Sequence, residues 1–264
     1  MAVMFCSIAS GSSGNCVYVG NDKSGLLIDA GISCKNILES LKNIGVSNKS
    51  IKAMLLTHEH SDHMKNIGAM SRKLNIPIYA NSSTWESIEG SIGKVKSENI
   101  RVFQTGKDFC VEDICISPFS ISHDAADPVG FTFAFGTKKI GLATDLGYFS
   151  NNVKNALKGT SLVMLEANHD VEMLKMGSYP YYLKRRILSE HGHLSNEASG
   201  HAACELVNMG VQQILLGHLS KENNFPQLAY ETVKGILKEK GIMVNKDVIL
   251  DVAPRSSISR VFYL

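Results

Sequence analysis

No uninterrupted apolar run approaches the roughly 20 residues that a membrane-spanning helix requires. Residues 1–5 also lack the basic stretch that opens a secretory signal. The expectation is a cytoplasmic protein with no membrane insertion. Proline is scarce, at 6 of 264 residues, and with 22 glycines and no biased segment this excludes collagen-like and low-complexity architectures. Excess charge of one sign is missing too. Lys and Arg total 27 against 25 Asp and Glu, a net +2, so there is no bulk field for a polyanion or a membrane surface, and any nucleic-acid contact must be local. The six cysteines (Cys6, Cys16, Cys34, Cys110, Cys115 and Cys204) form no CxxC pair. That argues against a zinc ribbon or a disulfide framework and reads most of them as small buried apolar residues. What is present is a 44% hydrophobic, 20% charged globular chain with nine histidines. Its length allows one large domain or two small ones, and no linker divides it, so it reads as a single domain over residues 1–264 with two similar halves.

Short β-like runs at 16–19 and 26–28, separated by a turn-rich segment, predict a hairpin. Ile37, Leu38, Leu41 and Ile44 recur at helical spacing after Ser33 and before Gly45, which predicts a capped amphipathic helix. Further strands are predicted at 53–56, 77–80, 114–121, 129–135, 139–143, 161–165, 213–216, 248–252 and 260–264. Helices are predicted near 65–74 and 228–240. Hairpins and strand–helix alternation together favour an α/β chain of mixed sheets covered by helices.

The polar residues stand where apolar runs end. The run at 53–56 leads to Thr57-His58-Glu59-His60-Ser61-Asp62-His63; the others lead to Asp29, His123, Asp145, Glu166 and His218. Ligand sites in such proteins gather beyond the carboxyl ends of strands, so the endings predict one site. His58 and His60, two apart, face the same way on an extended segment, and Asp62 and His63 open the next helix. Three imidazoles and a carboxylate within six residues suit one or two divalent cations, zinc first. The zincin pattern fails because Asp62 stands four residues after His58, and no nearby cysteine pair supports a finger. His123, Asp145 and His218 taken singly have ordinary structural readings; their shared placement argues otherwise.

These residues resemble the metallo-β-lactamase-fold hydrolases, whose HxHxDH pattern matches His58, His60, Asp62 and His63, followed by His123, Asp145 and His218. The resemblance implies an αββα sandwich, two mixed sheets flanked by helices. It implies two divalent metal ions, zinc or manganese: one on His58, His60 and His123, the other on Asp62, His63 and His218, with Asp145 bridging. Asp29 would orient a ligand imidazole through its free N–H. His60, where the flavodiiron branch has Glu, favours hydrolysis. Glu166 and His193 resemble the Glu–His pair of tRNA 3′-processing endonucleases and related phosphodiesterases, in which the pair protonates the leaving oxygen.

The loop Ser10-Gly11-Ser12-Ser13-Gly14-Asn15, together with Asp29-Ala30-Gly31, the 192–195 segment and the run from Gly217 to Asn224, is similar to the YycJ/WalJ (VicX) subfamily, regarded as 5′-to-3′ DNA exonucleases. This implies a phosphodiester hydrolase acting on DNA, with a metal-bridging hydroxide as nucleophile. His193 is the implied general acid, with Glu166 and Asp62 also in the catalytic set. Ser12, Ser13, Asn15 and Lys221 are the candidates for holding substrate. Lys184, Arg185 and Arg186 are further candidates for phosphate contact, against the alternative of an exposed helix face. Two competing readings stay open: a thioesterase or lactonase of the same fold, in which His193 would be idle, and a non-catalytic accessory of a two-component signalling system. Self-association is left open.

Overall fold

The computed structural model describes residues 2–264. Its strands are β1 (Met4–Ala9), β2 (Cys16–Gly20), β3 (Gly25–Ile28), β4 (Ile51–Leu55), β5 (Ile78–Ala80), β6 (Ile100–Val102), β7 (Phe109–Val111) and β8 (Ile114–Ser120). After these come β9 (Val129–Phe135), β10 (Lys138–Ala143), β11 (Leu162–Glu166), β12 (Gln213–Gly217), β13 (Ile249–Val252) and β14 (Phe262–Tyr263). The helices are α1 (Cys34–Asn43), α2 (Ser61–Met64), α3 (Ile67–Leu74), α4 (Ser82–Ile88), α5 (Asn151–Ala156), α6 (Val171–Met176), α7 (Tyr181–Ile187), α8 (Asn196–Asn208) and α9 (Pro226–Glu239). The chain divides into two compact units. One holds the residues up to Pro118, with Ala125–Val129 and Pro254–Leu264; the other holds Phe119–Asp124 and Gly130–Ala253.

The sheet of the first unit runs β14-β1-β2-β3-β4-β5-β6. Asn21 closes the β2–β3 hairpin because its side-chain oxygen accepts from the backbone N–H of Lys23 and Ser24 at 2.8 and 2.9 Å, a local turn that the carboxamide can make in place of the ladder. From β3 to β6 the pairing is parallel. Ser33 caps α1 by accepting from Asn36 N–H, and Gly45 at φ +76° lets the chain leave the helix. Ile37 and Leu41 of α1 and Ile67 and Met70 of α3 pack on Leu27, Met54 and Ile78 of the sheet. Each such burial stabilises by roughly 1.5–3 kcal/mol.

In the second unit β9 pairs antiparallel with β10, and β10, β11, β12 and β13 are mutually parallel. Ala202, Ala203 and Leu206 of α8 and Ala229, Val233 and Leu237 of α9 cover Val163, Leu165, Ile214 and Leu216. Both sheets are therefore mixed, and each carries helices on its own core. No helix among the described residues is long and apolar enough to cross a membrane.

One cysteine pair departs from the sequence expectation. Cys110 and Cys115 face one another across the β7–β8 register and are disulfide-bonded, both on the exposed side of the hairpin. Their spacing reflects a tight turn between paired strands, which no CxxC criterion detects. Cys6, Cys16 and Cys204 are buried as expected, and Cys34 is half-buried.

Candidate metal centre

In the first unit β3 and β4 run parallel side by side, so their carboxyl ends lie together. Asp29 follows β3 directly and takes a left-handed conformation, φ +62°, a region that aspartate visits more readily than most residues. The turn brings its carboxylate to the residues that follow β4. Asp29 Oδ1 accepts from Thr57 N–H at 2.9 Å, Oδ2 accepts from Thr57 Oγ1–H at 2.9 Å, and Oδ2 lies 2.8 Å from His63 Nδ1. A carboxylate can only accept here, so His63 carries its proton on Nδ1 and presents the Nε2 lone pair. Having given its proton to Asp29, the Thr57 hydroxyl accepts from His58 Nδ1 at 3.0 Å, which fixes His58 in the same tautomer. The His58 ring centroid is 4.6 Å from that of His60 and 4.1 Å from that of His63.

Asn15, expected to contact substrate, turns its side chain toward the residues of the centre. It is buried, its Oδ1 accepts from Gly11 N–H at 2.9 Å, and its amide donates toward Asp62 Oδ2 and His63 Nε2 at 3.1 and 3.0 Å. The loop's polar turn thus braces the Asp62–His63 pair. Ser12 and Ser13 are exposed on the same loop.

In the second unit the parallel order β10-β11-β12 likewise gathers three carboxyl ends. Asp145 stands two residues past β10, Glu166 ends β11 and His218 follows β12. Asp145 and His218 are again left-handed, at φ +62° and +58°. Asp145, Glu166, His193 and His218 each offer a ligand-type atom within 4.8 Å of the others. His123 joins them, with Nε2 3.8 Å from Asp145 Oδ1. Its Nδ1 donates to the Gly192 carbonyl at 3.2 Å. Glu166 is fully buried and holds both His193 and His218 through Oε1, each Nδ1 at 2.8 Å, while Oε2 accepts from Leu146 and Leu194 N–H at 2.7 and 3.1 Å. Burial alone would raise the Glu166 pKa, but the His193 and His218 imidazoles outweigh it and hold the carboxyl well below the usual carboxylate range. Lys221 lies exposed three residues beyond His218.

Sequence reasoning predicted Glu166 as the partner of His193; the structure gives it His218 as well. It overlooked Thr57, the link between Asp29 and His58, and the asparagines that carry the backbone of the second half. Asn168 Nδ2 donates to the His218 carbonyl at 2.9 Å, and Asn224 donates to the Ala167 and Asn168 carbonyls at 3.0 and 3.1 Å. The available signal was their place in the segments that follow Glu166 and His218, Asn168 two residues past the first and Asn224 six past the second. His169 was also overlooked. It is buried with no hydrogen bond to either ring nitrogen among the described residues, and burial pushes its pKa down to about 4.

The matched family model is the beta-lactamase superfamily domain, over residues 25–219, which contains every residue from Asp29 to His218. The chain belongs to that superfamily of metallo-hydrolases. Within it the chain is 41% identical over 246 residues to exodeoxyribonuclease YycJ of Bacillus anthracis, covering 93% of each protein. It is 42% identical over 250 residues to exodeoxyribonuclease WalJ of Streptococcus pneumoniae, covering 94% of this chain and 93% of that one. The chain is a member of the YycJ/WalJ family. The crystal structure of YhfI from Bacillus subtilis, a metallo-β-lactamase fold protein, matches with a TM-score of 0.72 at 16% identity, over 99% of this chain and all of that one. The fold is thus the metallo-β-lactamase fold.

The donor chemistry fits the divalent ions that this family implies. His58, His63, His123 and His218 each have Nδ1 held by an oxygen acceptor, so each presents Nε2, the arrangement that orients and strengthens a ligand imidazole. Nitrogen and carboxylate donors without a thiolate suit borderline or hard divalent cations.

Proposed function

We propose that this chain is a metal-dependent exodeoxyribonuclease that degrades DNA from 5′ to 3′ in the cytoplasm, as a single functional domain over residues 1–264. The observation that carries the reading is the Glu166–His193 pair in a chain that resembles two named exodeoxyribonucleases along nearly its whole length. Release of an alkoxide from phosphorus benefits from a general acid, whereas a thioester or lactone leaves with less help.

By the family's motif order, His58, His60 and His123 would hold one ion and Asp62, His63 and His218 the other, with Asp145 shared; zinc is the first choice and manganese the second. Bound ions supply Lewis acidity, a water of lowered pKa and charge neutralisation at phosphoryl oxygens. The chain's own residues do the rest. Asp29 and Thr57 orient two ligand rings. Glu166 keeps the His193 proton on Nδ1 when the ring is neutral, and an imidazolium form would carry a second proton on Nε2 to hand to the departing oxygen. The His193 side chain is a fifth exposed, unlike the fully buried Glu166 behind it. Ser12, Ser13 and Lys221, all exposed, supply hydroxyl and ammonium donors for phosphates.

The test is digestion of end-labelled single- and double-stranded DNA and RNA with zinc or manganese added back, beside thioester and lactone substrates. DNA shortened from its 5′ end is the expected result, and thioester turnover without DNA cleavage would overturn it. His60→Ala or Asp145→Ala should remove metal and cleavage together. His193→Ala should leave metal content intact and slow DNA hydrolysis by about 10²–10⁴-fold, but slow an activated aryl phosphodiester little.

A further inference from the structure

Residues 173–189 contain Lys175, Lys184, Arg185 and Arg186 and no Asp or Glu, in a chain whose net charge is only +2. The same stretch holds Tyr179, Tyr181 and Tyr182, three of the chain's eight tyrosines. The two that open α7 stand out in solvent: Tyr181 is 75% and Tyr182 74% exposed, with Met176 at the end of α6 at 86%. Burying such rings inside a fold is the usual economy, so an exposed pair beside a run of cations points to a partner, even with Lys175 paired to Glu172 and Arg186 to Asp124.

The cations do different work. Lys184 Nζ is committed to the Lys175 and Gly177 carbonyls at 2.7 and 2.6 Å, which ties α7 to the end of α6. Arg186 is bonded through Nε to the Asp124 carboxylate. Arg185 has no carboxylate partner among the described residues, and its guanidinium lies 5.9 Å from the Tyr181 ring centre. Arg185, standing over one side of the Tyr181 ring, and the exposed Tyr182 ring are therefore available.

This face is fixed to the reaction centre of the second unit. The Ile187 carbonyl that ends α7 accepts from His193 N–H at 3.1 Å, and a Cβ on Gly192 would sit 2.1 Å from that same oxygen, so the return from α7 to His193 is closed without slack. On the other side Asp124, which holds Arg186, adjoins His123 and donates its N–H to the His191 carbonyl at 3.1 Å. Seven residues of helix span about 10 Å. Tyr181 and Tyr182 therefore lie within that reach of the segment carrying the proposed general acid.

We propose that the α7 face of Tyr181, Tyr182 and Arg185 is a stacking platform for unpaired bases of the DNA strand held at the centre. The inference rests on the nuclease reading above. Only unpaired bases expose both faces to an aromatic ring, and stacking with cation contact binds single strands without regard to sequence. Charge complementarity favours a polyanion over an apolar protein partner.

The test uses the full-length metal-loaded protein. Its readouts are fluorescence anisotropy with a labelled single-stranded oligothymidine carrying phosphorothioate linkages to limit cleavage, turnover of bis(p-nitrophenyl) phosphate, and sedimentation. Tyr181→Ala with Tyr182→Ala should weaken oligonucleotide binding by at least about tenfold, leave small-substrate turnover unchanged, and be rescued by the double Phe variant. Arg185→Gln should flatten the dependence of log affinity on log salt by about 0.7. If the wild type binds and cuts DNA while the double Ala variant, folded and active on the small substrate, binds as tightly, the platform is wrong and the nuclease reading survives. A shift in sedimentation without a change in DNA affinity would make the face a contact between copies and overturn the assignment. Should the wild type neither bind nor cut DNA, both readings fall.

Discussion

Glu166 Oε1 lies 2.8 Å from Nδ1 of His193, and the same oxygen lies 2.8 Å from Nδ1 of His218. One buried carboxylate thus sets the tautomer of the proposed general acid and of a proposed metal ligand together. With Leu146 and Leu194 it receives four N–H groups and donates none.

Replacing Glu166 with Gln keeps the shape and reverses half of the chemistry. The new NH2 group must face either the two imidazole N–H groups or the two backbone N–H groups, donor against donor. A buried donor left without an acceptor costs about 1–3 kcal/mol, and an imidazole that moves its proton to Nε2 cannot ligate through that atom. Glu166→Gln should therefore lower the melting temperature and reduce DNA cleavage by about 10–100-fold. Calorimetry and elemental metal analysis of the same preparation would check both effects. Full metal content with unchanged cleavage would contradict the shared-tautomer account.

Thr57 gives a second prediction. Its hydroxyl donates to Asp29 and accepts from His58, so Asp29 acts on His63 directly and on His58 through one oxygen. Thr57→Val keeps the β-branched shape and removes the relay, leaving His58 Nδ1 without this acceptor. Asp29→Asn disturbs both rings. Metal affinity, measured by competition with a chelator, should fall by about tenfold for Thr57→Val and up to about 100-fold for Asp29→Asn. Excess metal should restore much of the cleavage in Thr57→Val.

The sequence made some of this legible and concealed the rest for physical reasons. The 58–63 cluster was readable as a candidate metal site because metal binding calls for fixed residue types at short spacing. The hairpin at β2–β3 and helix α1 were readable because Asn21, Ser33 and Gly45 act within a few residues of themselves. β6 and β7, three residues each and mostly exposed, carry no apolar run that marks a strand. Thr57 and Asn168 could not be assigned, since their roles depend on which strands lie side by side. The bonds of Asn15 to Asp62 and His63 were not legible, because a polar loop residue does not reveal which side chains pack behind it. The Cys110–Cys115 pair was missed because five residues of separation bring two side chains together only if the turn between them closes a hairpin.

His169 predicts a pH dependence. Its pKa is depressed to about 4 in the folded protein, first by burial, against about 6.5 in an unfolded chain. Between those values the unfolded state binds the proton and the native state does not. Both are neutral above pH 6.5, so His169 adds no pH dependence there. As pH falls from 6.5 toward 4 it favours unfolding, up to about 3 kcal/mol once pH is below the folded value. His169→Gln should remove that share of the acid destabilisation. Urea titrations of wild type and variant, compared at pH 7 and pH 4.5, should show a smaller loss for the variant; equal losses would refute the assignment.

Gly31 separates a steric requirement from a conformational one. A Cβ there would lie 1.7 Å from the Asp62 carbonyl oxygen, which itself accepts from Asn15 N–H at 2.7 Å, while Gly31 N–H donates to the Asn15 carbonyl at 2.9 Å. The obstacle is backbone on a segment pinned from two sides, so it cannot swing aside as a side chain would. Gly45, at φ +76°, has nothing within 4 Å of where a Cβ would stand, and Ala there meets only the left-handed penalty of about 1–2 kcal/mol. Gly31→Ala should cost more than that, in the manner of overpacking a core by about 3 kcal/mol. It should also displace Asp62 and His63 and weaken metal binding, which Gly45→Ala leaves untouched. Denaturant melts and chelator competition on the two variants would show both differences. A Gly31→Ala protein with native stability and metal affinity would mean that the Asp62 segment yields freely, against the close backbone packing seen around it.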